Sequence, residues 1–90
     1  VLVGPDGASP ADIGVYLAAR RAHPAALNVA TLVGHATVRT QVMGEDYRRP
    51  ARPEEVSRMA DLVTAAMRAG ALGLSAGLEY VVGSYATTDE

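Results

Sequence analysis

Apolar positions recur at helical spacing in two stretches of the chain and gather into short unbroken runs in two others. In "SPADIGVYLAARRA", Ile13, Tyr16, Leu17 and Arg20 lie three or four residues apart on one stripe, the spacing of an amphipathic helix. Ser9 as cap, Pro10 at the first helical position and Asp12 reaching back as a capping box predict a start at Ser9. The helix is expected to run to Ala22, with Pro24 blocking its continuation. The period then changes. "LNVATLV", residues 27–33, is a β-branched run closed by Gly34, which fits a strand of a parallel sheet buried on both faces.

The polar stretch "GHATVRTQVMGEDYRRPAR", residues 34–52, is broken by Gly44 and Pro50. It reads as a loop of functional length with at most a short helical turn over residues 38–43. In the next segment Val56, Met59, Ala60, Val63, Ala66 and Met67 repeat at helical spacing behind Pro53, Glu54 and Glu55. Carboxylates suit a helix N-terminus, and Gly70 is placed to end the helix in a left-handed cap. "ALGLS", residues 71–75, reads as a second strand, and residues 76–86 as another Gly-bearing connection. Thr87 and Glu90 have capping-box spacing, so a further helix is expected to begin where these residues stop. The 90 residues therefore read as a piece of something longer.

Helix, strand, helix, strand and helix start is an α/β order. Short joins at residues 24–26 and Gly70, set against long connections after each strand, match the asymmetry of a (β/α)8 TIM-type barrel, of which this chain would supply about two βα units. The two long connections would then lie at the C-terminal ends of the strands, where barrels place their chemistry. A doubly wound sheet would place them at its crevice in the same way. His35, Ser75 and Tyr80 are expected on that one face.

Composition narrows the partners. Net charge is −2, all eight basic residues are arginine, and the aromatics are four tyrosines, so no basic stripe or stacking platform marks a nucleic-acid binder. No apolar run approaches the roughly 20 residues of a membrane span. There is no Cys and there are two His, with neither H-x-H nor H-E-x-x-H spacing, so these residues cannot assemble a zinc site from thiolates and imidazoles. Compartment is not encoded here; a cytoplasmic location is the expectation.

"GLSAG", residues 73–77, fits the G-x-S-x-G pattern of a serine hydrolase elbow. That motif needs a helix immediately after the serine, and the Gly77, Val81, Val82 and Gly83 that follow resist helix nucleation. The reading that Gly73 and Gly77 permit close backbone packing at a strand end fits better. His35, directly after a strand, could meet a metal, a carbonyl oxygen or a substrate carboxylate; it could equally hold a neighbouring loop in shape. Tyr80 and Tyr85 bracket "VVGS". A tyrosine hydroxyl there can donate to a substrate carboxylate, or the ring can simply cover the core. His23 suits a helix C-terminus, and Arg48, Arg49 and Arg52 beside Glu45 and Asp46 read as solvated surface.

"NVATLVGHATVRTQVMG" (residues 28–44) and "GLSAGLEYVVGSYATTDE" (residues 73–90), joined by a helix ending in "AGALGLS", resemble the N-acyl-D-amino-acid deacylases (D-aminoacylases) of the amidohydrolase superfamily. The resemblance covers nearly the whole chain. It implies a zinc-dependent hydrolase on a (β/α)8 barrel that cleaves the acyl amide of N-acyl-D-amino acids, in which a metal-activated water, not Ser75, is the nucleophile. A barrel takes about 250 residues, so this chain would supply roughly a third and dock on the remainder of its own barrel. The family's metal ligands and catalytic aspartate would lie outside these residues, leaving no catalytic residue among them. Tyr80 matches the family's substrate-contacting tyrosine in G-L-S-T-G-L-x-Y, with His35 and Ser75 as further pocket-lining candidates. Ala76 in place of Thr, Ala36 in place of Ser or Gly, and "YVVGSY" without the usual Pro depart from the family pattern and bear on loop shape and substrate choice. Two other expectations stand beside this one: a serine hydrolase using Ser75, and a non-catalytic α/β module binding a partner through residues 34–52.

Overall fold

A computed structural model describes residues 1–23 and 28–90. The proline stop, the short join at residues 24–26 and the start of the first expected strand at Leu27 lie outside the described residues. The element order is β1 (Leu2–Val3), α1 (Ile13–Ala22), β2 (Ala30–Thr31), β3 (Val33–Gly34), α2 (His35–Met43), α3 (Pro53–Ala69) and β4 (Leu74–Ser75), with 3-10 turns at Pro5–Gly7 and Gly83–Tyr85.

Only Leu32 separates β2 from β3, and the extended run they make is flanked on both sides. β1 pairs parallel with β2, and Ala30 and Leu32 donate to the carbonyls of Val1 and Val3 at 2.9 and 2.8 Å. β3 pairs parallel with β4, setting Gly34 opposite Ser75, and Val33 donates to Gly73 at 2.9 Å. Thr31 and Val33 lie one pleat apart and both are buried, as expected of a strand packed between parallel neighbours and helices. The α/β reading and both parallel strands hold. The first strand, over Leu2–Val3, lies in a stretch to which the sequence pattern assigned no element.

Two expectations about helices change. Helix α1 starts at Ile13, not Ser9, because Asp12 is the cap: its side chain accepts the N–H of Val15 at 2.9 Å. Ser9 instead accepts the N–H of Gly34 through Oγ at 2.9 Å, tying the loop after β1 to the end of β3. Residues 34–52 are not a long loop. Helix α2 occupies nine of them directly after the strand, and Gly44, at φ 58°, ends it. Val38 and Met43 on α2 are buried in the core, and that tertiary burial outweighs the modest helix propensity of a Thr- and Val-bearing segment.

Helix α3 follows its sequence pattern closely. Glu55 accepts the Arg52 backbone N–H at 2.9 Å across the helix entrance, and Gly70 closes the exit at φ 115°. Met59 and Ala66, two turns apart, are buried against Ile13, Val33, Val38, Met43 and Ala71, while Ala60 and Met67 face outward. The core thus sits between the sheet and the three helices, leaving the carboxyl ends of β3 and β4 at its edge.

Candidate active site

The parallel pairing of Gly34 with Ser75 puts the residues that follow them side by side. His35 opens α2 at one strand end; residues 76–78 leave the other. His35, Ala76 and Leu78 line a common cavity of about 300 Å³ together with Leu74, Thr88 and Glu90. A hollow of about 260 Å³ between α1 and α3, around Val33 and Ala66, is mainly apolar. Its one carboxylate, Asp12, already caps α1.

The close approach of three backbone segments shapes the first site. A Cβ on Gly34 would stand 2.5 Å from the carbonyl oxygen of Gly7, and one on Gly7, itself at φ 87°, would stand 2.8 Å from the nitrogen of Gly77. Only glycine fits at either place, so the 3-10 turn after β1 wedges against both strand ends. Ser75 fastens that turn: its Oγ accepts the N–H of Gly7 at 3.1 Å and donates to the carbonyl of Gly4. Its hydroxyl hydrogen is therefore engaged by backbone. No helix follows it among the described residues either; turns and the Gly83–Tyr85 3-10 turn do. The serine hydrolase reading loses both its nucleophile geometry and its oxyanion helix.

His35 holds the cavity's main polar contact. Its Nε2 lies 2.9 Å from Glu90 Oε1, and the same oxygen accepts from Arg39 Nε at 2.9 Å. Arg39 is wholly buried, and its other nitrogens donate to the carbonyls of Tyr47 at 2.9 Å and Arg49 at 2.5 Å. The Glu90 side chain is 1% exposed. Its carboxylate was expected to reach back as a helix cap; residues 87–90 form a turn instead, with the Glu90 N–H on the Thr87 carbonyl at 3.2 Å. Two buried polar atoms remain without a partner among the described residues, His35 Nδ1 and Glu90 Oε2. Sequence reasoning did not single out Arg39. The available signal was its place one turn after His35, as the sole formal charge in α2.

Tyr80 lies beside this cavity rather than in its lining. It is 58% exposed, with its backbone N–H on the Gly77 carbonyl at 3.2 Å and its own carbonyl accepting from Ser84 at 2.9 Å. Tyr85 meets Tyr47 edge to face with ring centroids 6.1 Å apart, so the segments after α2 and after β4 brace each other. Arg49 is not simply solvated: it forms two hydrogen bonds to Glu55 at 2.7 and 2.9 Å. With the Arg52 N–H, Arg49 holds the Glu55 carboxyl down to about 2.

No protein-family model matches the chain. Comparison with individual proteins is more informative. The D-aminoacylase of Alcaligenes xylosoxydans xylosoxydans is 49% identical over 75 residues, covering 83% of this chain and 15% of that protein. The N-acyl-D-glutamate deacylase of the same organism is 38% identical over 86 residues, covering 93% and 17%. A crystal structure of D-aminoacylase, described as defining a novel subset of amidohydrolases, superposes with a TM-score of 0.92 at 34% identity, over 99% of this chain and 23% of its own. Homologues of this chain include proteins named D-aminoacylase and N-acyl-D-amino-acid deacylases. The chain spans less than a quarter of the length of the D-aminoacylases and deacylases named here.

One of these deacylases, the N-acyl-D-glutamate deacylase of Bordetella bronchiseptica, was solved with zinc and a phosphonate inhibitor that mimics the tetrahedral intermediate; it superposes at TM-score 0.90, 34% identity, over 97% of this chain and 23% of its own. The residues described here do not fit such a metal. No group of three or more His, Cys, Asp or Glu side chains that could hold an ion occurs among them, and the one His–carboxylate pair is already committed to Arg39. None of the described helices is long and apolar enough to cross a membrane.

Proposed function

We propose that this chain is an interior segment of a metal-dependent amidohydrolase barrel that hydrolyses the acyl amide of N-acyl-D-amino acids, and that it forms part of the substrate-facing rim, not the metal centre. The observation that carries this reading is the superposition over 99% of the chain at 34% identity on a D-aminoacylase, joined to 49% sequence identity with a second one. Zinc, held by residues outside the segment, would supply the hydrolytic chemistry.

The segment's own residues hold and orient. Tyr80, exposed beside the cavity, donates its hydroxyl to the substrate carboxylate. His35 faces the acyl amide from the strand end. Ser75 holds the rim in shape through Gly4 and Gly7. The remaining partner is the rest of the same barrel, and the 90 residues alone are inactive. In the full-length enzyme, Tyr80→Phe is expected to raise KM for N-acyl-D-amino acids about 3- to 10-fold, the equivalent of one hydrogen bond, with kcat little changed. Unchanged kinetics would remove Tyr80 from the site, and absence of any N-acyl-D-amino-acid hydrolysis would remove the function.

A further inference from the structure

The unpartnered atoms of the His35 cavity are both acceptor positions, and that asymmetry has a chemical meaning. A carboxylate only accepts, so the contact of Glu90 Oε1 with His35 Nε2 at 2.9 Å requires the ring hydrogen to sit on Nε2. Arg39 donates to the same Oε1 at 2.9 Å and already balances the carboxylate's charge, so the buried cluster is neutral when the imidazole is neutral. In that ring Nδ1 carries a bare lone pair. It is buried and without a partner among the described residues, as is Glu90 Oε2, and both residues line the 300 Å³ cavity at the ends of β3 and β4.

We infer that Arg39 and Glu90 are positioning residues that lock His35 in its Nε2–H tautomer, presenting Nδ1 as the acceptor for a hydrogen-bond donor on the bound ligand. The fork of Arg39 is itself fixed by the carbonyls of Tyr47 and Arg49, so the carboxylate cannot swing without breaking a buried pair. An unoccupied buried acceptor disfavours any ligand that brings no hydrogen to it. The donor class that fits is a neutral N–H, and on the function proposed above it is the amide N–H of the N-acyl amino acid. This last step rests on that function; the tautomer does not.

Two measurements decide it. Long-range proton–nitrogen correlation of the imidazoles, with exposed His23 as internal reference, should show His35 as one tautomer, protonated at Nε2 and bare at Nδ1. His23 should average between forms. In Glu90→Gln, whose amide can present either end to the ring, His35 should lose that single-tautomer signature. A His35 protonated at Nδ1, or averaging like His23, overturns the lock whatever the enzyme does.

The second measurement uses full-length enzyme and the substrate analogue in which oxygen replaces the amide N–H. Losing the donor should raise KM about 3- to 10-fold in the wild type and not in His35→Phe, since the two changes remove the same contact. Equal penalties in both proteins overturn the assigned ligand contact while leaving the deacylase reading intact. A full-length protein that hydrolyses no N-acyl-D-amino acid removes that reading and the assigned ligand together, and the imidazole spectrum then judges the tautomer lock alone.

Discussion

A guanidinium with no exposed surface is tolerated only when its donors face acceptors, and Arg39 meets that condition with Glu90 and two carbonyls. Removing one member of a buried pair strands the other charge, which costs about 3–5 kcal/mol. Arg39→Met is expected to lower the unfolding free energy by about that much, whereas Arg39→Met with Glu90→Leu recovers most of the loss because no charge is left buried. Urea titrations of the wild type, the double variant and the Arg39→Met and Glu90→Leu single variants complete the cycle, and strictly additive effects would mean the pair is not coupled. Glu55 offers a second residue-level test, through pH. The hydrogen bonds from Arg49, and then from the Arg52 N–H, hold its carboxyl at about 2 instead of the ordinary 4.5. The folded value is the lower one, so the stability it contributes is complete above about 4.5 and is lost as pH falls toward about 2. Glu55→Gln should therefore flatten stability against pH across that window; parallel acid limbs for both proteins would deny the carboxylate its role.

At the scale of elements, what could be read from the sequence was local and what could not was remote. Helix α3 was legible because its cap signals, its apolar stripe and its closing glycine agree within one stretch. That closing glycine is testable: Gly70 sits at φ 115° with Leu17 Cδ1 3.1 Å from where a Cβ would stand. Gly70→Ala should thus cost about 1–2 kcal/mol of stability, seen as a lower urea midpoint with an unchanged slope. Helix α2 reads locally as loop with at most a short turn over residues 38–43 because the reason it is a full helix lies elsewhere, in the burial of Val38 and Met43 under α3 and the sheet. Ser9 has the local signature of a cap, yet its hydroxyl serves Gly34, 25 residues away. Glu90 has the spacing of a capping box, yet its carboxylate meets Arg39 across 51 residues. His35 and Ser75 do lie at adjacent strand ends, because parallel strands carry their following residues to one edge, but Ser75 is spent on the Gly4 and Gly7 backbone and does not line the cavity. Arg39 leaves a local trace, one turn after His35 in α2, but its pairing with Glu90, 51 residues on, does not.

The whole molecule shows an uneven surface. Leu72, Leu74, Leu78 and Val81, along β4 and the connection after it, are between 54% and 68% exposed. Among the described residues β4 has one strand partner, β3. Scattered exposed leucines are ordinary, but an apolar cluster beside an unpaired strand edge invites association. A chain of about 90 residues also buries only about 60–65% of its unfolded surface, which leaves little stability to offset such exposure. On the proposed barrel placement, the next strand and helix of the full-length enzyme cover this face. The 90 residues produced alone should then bind a hydrophobic dye and self-associate at micromolar concentration, and Leu72→Glu with Leu74→Lys should suppress both without unfolding the core, since neither side chain is buried. The same two substitutions in the full-length enzyme should do the opposite, lowering its stability by placing charges in a packed interface. Sedimentation of the short chain and thermal unfolding of the long one give the answer. If the short chain is monomeric and silent to dye, and the long one tolerates both charges, then β4 is an outer edge and the barrel placement is wrong.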